Sequence, residues 1–414
     1  MILPKQIPFF IRIFAGLVVG LALSACATYQ TKTRGFRDSI RSGNPAAAAA
    51  KIKEKAYTDG DDQVVYLLEY ATAEQLAGHY DESTKAYLKA EDLTDIKDYH
   101  SISRITGSLL LNQGMVQYKG DDFEKVLINA MLAINFLMQG KLEEAQVECR
   151  KLNDKLYKFR FEGKKNYDQN PFAFYLSALI WESIKDWDTA YIDFKKAYDL
   201  NPSIPYLKED LIRAAISAQR PEELAKWKKA FGNIKPANLR ELGEVILVYQ
   251  QGWGPVKRPN PSFPRVPKLY PTFSSTTSAR LEVENGNVET TQLVSNITDV
   301  AIKTLDDQYA GLVASRVGGL AAKAVAADQI RQKNALLGEL AWIGMNIADQ
   351  ADLRQWTTLP SSFQVAKIRL APGDYRVRAV GLNSSGGPTG ETSEWIPVKV
   401  VKRQKSFITW RSLN

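Results

Sequence analysis

The sequence predicts an α+β fold: an N-terminal α-helical solenoid of paired helices, then a C-terminal β-domain, a small antiparallel sheet or sandwich, that carries a helical insertion. Three observations predict it. Across residues 35–240 the apolar side chains recur at steps of three and four, with Gly, Pro or Asp between the runs. Residues 241–298 and 356–414 instead alternate in short β-branched runs bounded by turn residues. Between them, residues 299–355 return to helical spacing and are crowded with Ala and Gly. A chain of 414 residues, 45% apolar and 24% charged, is long enough for several compact domains and too apolar for wholesale disorder. Two cysteines exclude a disulfide scaffold, and His79 and His100 are the only histidines on which a metal or acid–base site could draw.

Residues 1–25 read as a signal peptide. Lys5 and Arg12 give a positive start, residues 13–22 form a short uncharged apolar run, and Leu23, Ser24 and Ala25 place small residues before Cys26. The run is too short for an ordinary transmembrane span. Leu-Ser-Ala-Cys resembles a bacterial lipobox. That resemblance implies a diacylglycerol on the Cys26 thiol, cleavage before Cys26 and acylation of the new amino end, which makes residues 26–34 a lipidated tether. Each buried CH₂ adds about 0.8 kcal/mol, so several acyl chains anchor a protein firmly. Ala27, where an inner-membrane retention signal carries Asp, implies the periplasmic side of an outer membrane. A core cysteine in an uncleaved helix is the alternative. Loss of residues 1–25 lowers the net charge from +8 to +6. Cys149 is then the remaining thiol, expected in buried packing.

The helical half repeats one pattern. A turn is followed by a small residue, an aromatic or large one four positions on, and a small one three after that: Ser83, Tyr87 and Ala90; Ala145, Cys149 and Leu152, where Leu152 departs from the small third position; Ala190, Phe194 and Ala197, with Pro202 stopping the third unit. This resembles the tetratricopeptide (TPR) repeat, which implies helical hairpins stacked into a curved solenoid whose concave face binds peptides or proteins. The spacing departs from it. Gly78 and Gly140 lie 62 residues apart and Gly140 and Lys185 lie 45 apart, where strict repeats step by about 34. Extra segments near 95–119 and 157–170 must loop out or add helices. Weaker pairs flank the three, over 36–55 with Pro45 at a helix start and over 207–231. His79 falls in a turn, His100 lacks ligand partners at metal spacing, and the pairs Asp121-Asp122, Glu143-Glu144 and Glu222-Glu223 suit helix starts.

In the C-terminal half, residues 244–249 read as a strand. Residues 254–271 contain six prolines with Lys257, Arg258, Arg265 and Lys268 among them, which predicts an extended polyproline-like linker. Asn285-Gly286 predicts a tight hairpin. Further strands are expected over 363–370, 375–380, 395–401 and 406–410. The insertion is expected as a helical hairpin packed on the β-domain, with a helix–helix oligomer contact or membrane insertion as alternatives; Arg316 and Lys323 oppose a spanning helix.

The charge divides near Gln250, with −1 over residues 26–249 and +7 beyond. Arg376, Arg378, Lys399, Lys402, Arg403 and Lys405 cluster late in the chain, a face suited to anionic polymers or headgroups or simply a solvated sheet edge. No phosphate loop, zinc motif or serine-nucleophile motif occurs, so no enzyme, metal or cofactor is expected. Residues 122–127, 140–145 and 349–360 resemble an uncharacterised family of bacterial TPR-containing lipoproteins with a C-terminal mixed domain, a resemblance that bears on architecture only. The expected function is a non-catalytic outer-membrane-anchored scaffold in envelope assembly. Its expected partners are the membrane through Cys26, an envelope protein on the helical groove, and peptidoglycan or another anionic polymer; nucleic acid is excluded by export. An oligomeric membrane-active or export component, a homo-oligomer built through the Gly/Ala-rich helices, and a regulator of peptidoglycan synthesis are the alternatives.

Overall fold

The computed structural model describes residues 29–101, 117–161, 170–232, 234–237, 239, 241–335, 337–339 and 351–414. Leu23, Ser24, Ala25 and Cys26, the expected lipobox, lie outside the described residues, as do most of the two extra segments of the helical half and residues 340–350 of the insertion.

Among the described residues a short helix α1 (Tyr29–Lys32) precedes five helical pairs: α2 (Arg34–Arg41) with α3 (Pro45–Tyr57), α4 (Gln63–Leu76) with α5 (Tyr80–Ser101), α6 (Asp122–Met138) with α7 (Leu142–Phe161), α8 (Pro171–Ser183) with α9 (Trp187–Leu200), and α10 (Leu207–Ser217) with α11 (Pro221–Phe231). One turn joins every pair. Gly43, Gly78, Gly140, Lys185 and Gln219 hold φ values of 77°, 79°, 71°, 65° and 54° just past the first helix. The next amide returns to a carbonyl five residues back in each case: Asn44 to Ser39, His79 to Glu74, Lys141 to Phe136, Asp186 to Trp181 and Arg220 to Ala215, all at 2.8–3.0 Å. This glycine-favouring cap ends the helix and satisfies its last carbonyls. Lys185 and Gln219 adopt it without glycine, at a cost of about 1 kcal/mol each.

The starts are equally local. Asn44, Asn170 and Asp186 accept from Ala47, Phe172 and Thr189 amides, and Asp121 with Glu124 forms a capping box, so the Asp121-Asp122 pair serves a helix start. Ser83, Tyr87, Ala90, Ala145, Cys149, Leu152, Ala190, Phe194 and Ala197 are at most 1% exposed, and Pro202 sits exposed just past α9. Small residues let the two helices touch: Ser83 Oγ donates to the Ala71 carbonyl at 2.7 Å.

The β-domain is a sandwich. Its first sheet has the order β11 (Lys405–Arg411), β1 (Gly243–Gln251), β7 (Ser362–Leu370), β6 (Gln292–Asn296). Its second has the order β10 (Ile396–Val400), β8 (Gly373–Leu382), β4 (Ser278–Val283), β5 (Val288–Thr290), with β9 (Pro388–Thr392) beside β8. Asn285, at φ 53°, makes the expected hairpin. Val245, Leu247, Ala366 and Ile368 face Leu281, Val377 and Val398 across the sandwich, whereas Ile246, Val248, Phe363 and Val365 join the core of the helices. Burial on both faces explains why β1 reads as an unbroken apolar run.

Three expectations are corrected. The sheets are not purely antiparallel, because β11 runs parallel to β1, with Leu247 opposite Ile408. The proline-rich stretch 254–271 is not a linker: β2 (Val256–Pro259) pairs with β3 (Pro267–Tyr270), with Pro259 and Pro267 at the end of the two-stranded ladder and the other four prolines in the connecting loop or flanking the strands, where no ladder donor is needed. The insertion is not helical throughout 299–355: it begins with one long helix, α12 (Ile297–Lys333), about 55 Å long by its 37 residues, after which the chain turns and helix resumes at 335 and over 337–339, where Gly338 lies against Arg331. Residues 351–355 are not helical, since Asp352, Arg354 and Gln355 are committed to bonds elsewhere. By length and composition α12 could cross a bilayer.

Candidate functional site

The first helices of the successive pairs, α4, α6, α8 and α10, line the inner face where the sequence places a protein partner. The chain's own C-terminal half occupies that face. A strap of residues 351–361 lies along it, followed by β7 and the rest of the first sheet.

The strap is held by two buried carboxylates. Glu69, in an otherwise apolar turn of α4, accepts from the Thr357 amide at 2.7 Å, the Thr358 amide at 3.2 Å and both threonine hydroxyls at 2.5 Å. Glu124 accepts from the Trp356 amide at 2.6 Å, the Asp121 amide at 3.0 Å and the Tyr118 hydroxyl. Trp356, 1% exposed, donates Nε1 to Thr72 Oγ1 at 2.8 Å and tilts against the Tyr87 ring at 5.5 Å. Arg354 reaches Asp62 at 3.1 Å, and Lys257 of β2 pairs with Asp121 at 2.5 Å. Two of the distinctive sequence stretches, 122–127 and 349–360, therefore meet at the Glu124–Trp356 bond.

A second clamp lies further along. Lys367 of β7 bonds both oxygens of Asp210 at 2.7 Å; Arg213 joins Glu182 at 2.5 Å and Asp210 at 2.7 Å; Lys405 reaches Glu182 at 3.0 Å and Glu244; Arg369 bridges Glu209 and Glu244 at 2.7 and 3.1 Å. Phe172 stacks on Phe363 at 4.0 Å between the clamps. Lone charges inside the apolar runs around Glu69 and Lys367 were the sequence signal for these pairs, since a buried charge requires a partner.

Ionisation follows this packing. Burial pushes the Glu69 carboxyl up, and burial with the Asp121 charge pushes Glu124 up to about 7. Burial also opposes ionisation of Asp210 and Glu244, but Lys367 and Arg213 outweigh it at Asp210, and Lys405 with Arg213 at Glu244, so both stay below the usual carboxylate range. A carboxyl raised in this way is a feature of acid–base catalysts. Glu124 is fully enclosed, however, and its oxygens are taken by the strap and the cap. Cys149 is 1% exposed with its thiol pushed up by burial, which suits packing over nucleophilic chemistry. His79 stands on an exposed turn with Nδ1 2.7 Å from Glu74. Among the described residues no group of three His, Cys, Asp or Glu is placed to hold a metal.

The late basic cluster is largely neutralised. Arg376 pairs with Glu284 at 3.2 Å, Arg378 with Glu282 at 2.8 Å, Lys402 with Glu241 at 2.5 Å, and both arginines lie over the Trp395 ring. A cavity of about 610 Å³ opens between α8, α10 and the edge of the first sheet, with Lys185, Trp187, Arg213, Arg403 and Lys405 among its walls.

No protein-family model and no curated protein matches the chain. Among solved structures it is similar to a crystal structure of MamA, at 14% identity over 49% of this chain and 91% of that one, with a TM-score of 0.33. A tetratricopeptide repeat protein from Parabacteroides merdae gives 14% identity over 49% and 64%, also with a TM-score of 0.33. TPR-like repeats of a kinesin light chain from Podosopora anserina give 12% over 49% and 95%, at the same TM-score.

Proposed function

We propose that this chain is a lipid-anchored scaffold of the bacterial envelope, held at the periplasmic side of the outer membrane by acyl chains on Cys26, with α12 rather than the helical groove as the surface offered to a protein partner. One observation carries the reading. The groove is filled in cis, whereas the outer face of α12 presents Gly311, Ala314, Val317, Gly318, Ala321 and Val325 to solvent with no charged residue among them. A Cβ added at Gly311 or Gly318 meets nothing within 4 Å, so another backbone can approach closely there. An uncovered apolar stripe of this length marks an interaction surface.

The test has two parts. Mass spectrometry of the N-terminal peptide in a bacterial host is expected to find an acylated Cys26, and an unmodified, uncleaved terminus removes the anchor. A photo-crosslinking residue at Val317 is expected to give discrete protein adducts that the same residue at exposed Glu222 does not. Equal or absent adducts from the two positions contradict the assignment of α12.

The 610 Å³ cavity favours a second reading, contact with an anionic envelope polymer such as peptidoglycan. Lys185 stands at its wall, and no acid lies at ion-pair distance from it among the described residues. Lys185→Glu is expected to weaken co-sedimentation with purified sacculi, and unchanged sedimentation removes this reading.

A further inference from the structure

The tether fixes which side of the molecule meets the bilayer. Tyr29, the first described residue, lies three residues beyond Cys26, so an acylated Cys26 keeps it within about 11 Å of the headgroups. Tyr29 is locked in place, with its hydroxyl donating to Glu69 at 3.2 Å. Gln30 donates Nε2 to the Lys257 carbonyl at 2.6 Å. The β2–β3 hairpin is thus bound to the root of the anchor.

That hairpin is built for an anionic surface. Residues 251–281 contain no Asp or Glu but carry Lys257, Arg258, Arg265, Lys268 and Arg280. Lys257 is spent on Asp121 and Arg280 on Glu282. Arg258 and Lys268 face each other directly across the two strands, and neither has an acid at ion-pair distance among the described residues. Like charges in directly opposed positions destabilise a strand pair. Arg258 is exposed over the Tyr270 ring at 5.8 Å, and Phe273, just beyond β3, is 90% exposed. Cations beside a bare aromatic are the chemistry of a headgroup contact, the phosphates neutralising the pair and the ring entering the interface.

We infer that the β2–β3 hairpin, through Arg258, Lys268 and Phe273, binds the headgroups of anionic phospholipids and turns the anchored protein hairpin-first onto the membrane. This rests on acylation of Cys26 as proposed above. It differs from the late basic cluster, whose arginines are already paired.

The lipidated full chain, carrying a nitroxide on Ser262→Cys at the exposed hairpin tip, is placed on phosphatidylcholine vesicles with or without phosphatidylglycerol; a second label on Glu222→Cys, in the last helical pair, is the control. Cys149 is buried and stays unlabelled. Collisions of the Ser262 label with a headgroup-borne relaxant are expected to rise with phosphatidylglycerol, while the Glu222 label does not respond. Arg258→Glu with Lys268→Glu is expected to lower the membrane-facing population on the order of tenfold, as is raised salt. A Ser262 label indifferent to phosphatidylglycerol, or a double variant that keeps the response, overturns the inference while flotation of the chain leaves the anchor standing. A chain that neither floats nor carries an acylated Cys26 overturns the anchor and the inference together.

Discussion

Trp356→Ala tests the closure of the groove by the strap. Trp356 is 1% exposed and wedged between α4 and α5, against Tyr87 and Thr72. A buried aromatic removes roughly 150–250 Å² from water, so at about 25 cal/mol per Å² the transfer contribution has an upper bound of roughly 4–6 kcal/mol. No polar group is orphaned: Thr72 Oγ1 keeps its bonds to the Leu68 carbonyl at 2.9 Å and Tyr87 at 2.8 Å, and the amide at 356 keeps Glu124. The loss is therefore one of transfer and cavity, about 3–5 kcal/mol as for other Trp truncations. Urea unfolding followed by far-ultraviolet and near-ultraviolet circular dichroism reads it. The midpoint is expected to fall with an unchanged slope in both signals, because the strap joins the helices to the sandwich. Trp356→Phe is expected to lose about 1–2 kcal/mol, mainly the indole bond. A loss below about 1 kcal/mol for the alanine variant, or helices that melt separately from the sheet in the wild type, refutes the reasoning.

Other expectations follow from the same contacts. Glu124, at about 7 when folded against 4.5 when free, binds its proton more tightly in the folded state, so it contributes stability at low pH that is lost as pH rises from about 4.5 to 7, about 3 kcal/mol in all; Glu124→Gln is expected to flatten the melting temperature across that window, and an unchanged slope contradicts it. Asp210→Asn leaves Lys367 and Arg213 buried with one partner fewer, which is expected to cost about 3–5 kcal/mol in urea unfolding. Asp210 is held low when folded, so its contribution is present above pH 3.8 and disappears as pH falls through the lowered value; a wild type whose stability does not drop at acid pH contradicts this. Gly243→Ala drives a Cβ to 2.5 Å from the Val401 carbonyl and 2.7 Å from Val400, so it is expected to lower stability by about 1–3 kcal/mol, read by thermal unfolding.

Local signals carried much of the architecture. The residues of the repeated helical pattern are buried in all three units, including Leu152 where the pattern calls for a small residue, and Asn285-Gly286 with the alternation of 375–380 located strands, because each depends on neighbours in sequence. The common turn of five pairs was half hidden: Lys185 and Gln219 stand where glycine would announce it, and long insertions stretch the spacing. The proline count misled over 254–271, since prolines at strand ends read the same as prolines in a linker. The filled groove was illegible for a different reason. Glu69 and Thr357 are 288 positions apart, and no periodicity records a contact of that range. The lone charges of α4 and β7 signalled buried pairs without saying which charge meets which.

Hydrogen exchange of the amides of Trp356, Thr357 and Thr358 in the intact chain reports most directly whether the helical groove is closed by its own strap. Their bonds to Glu124 and Glu69 predict exchange as slow as that of α4, governed by unfolding of the whole body. Exchange within seconds, at the rate of an open loop while α4 stays protected, would show a groove free to receive another chain and would contradict the account.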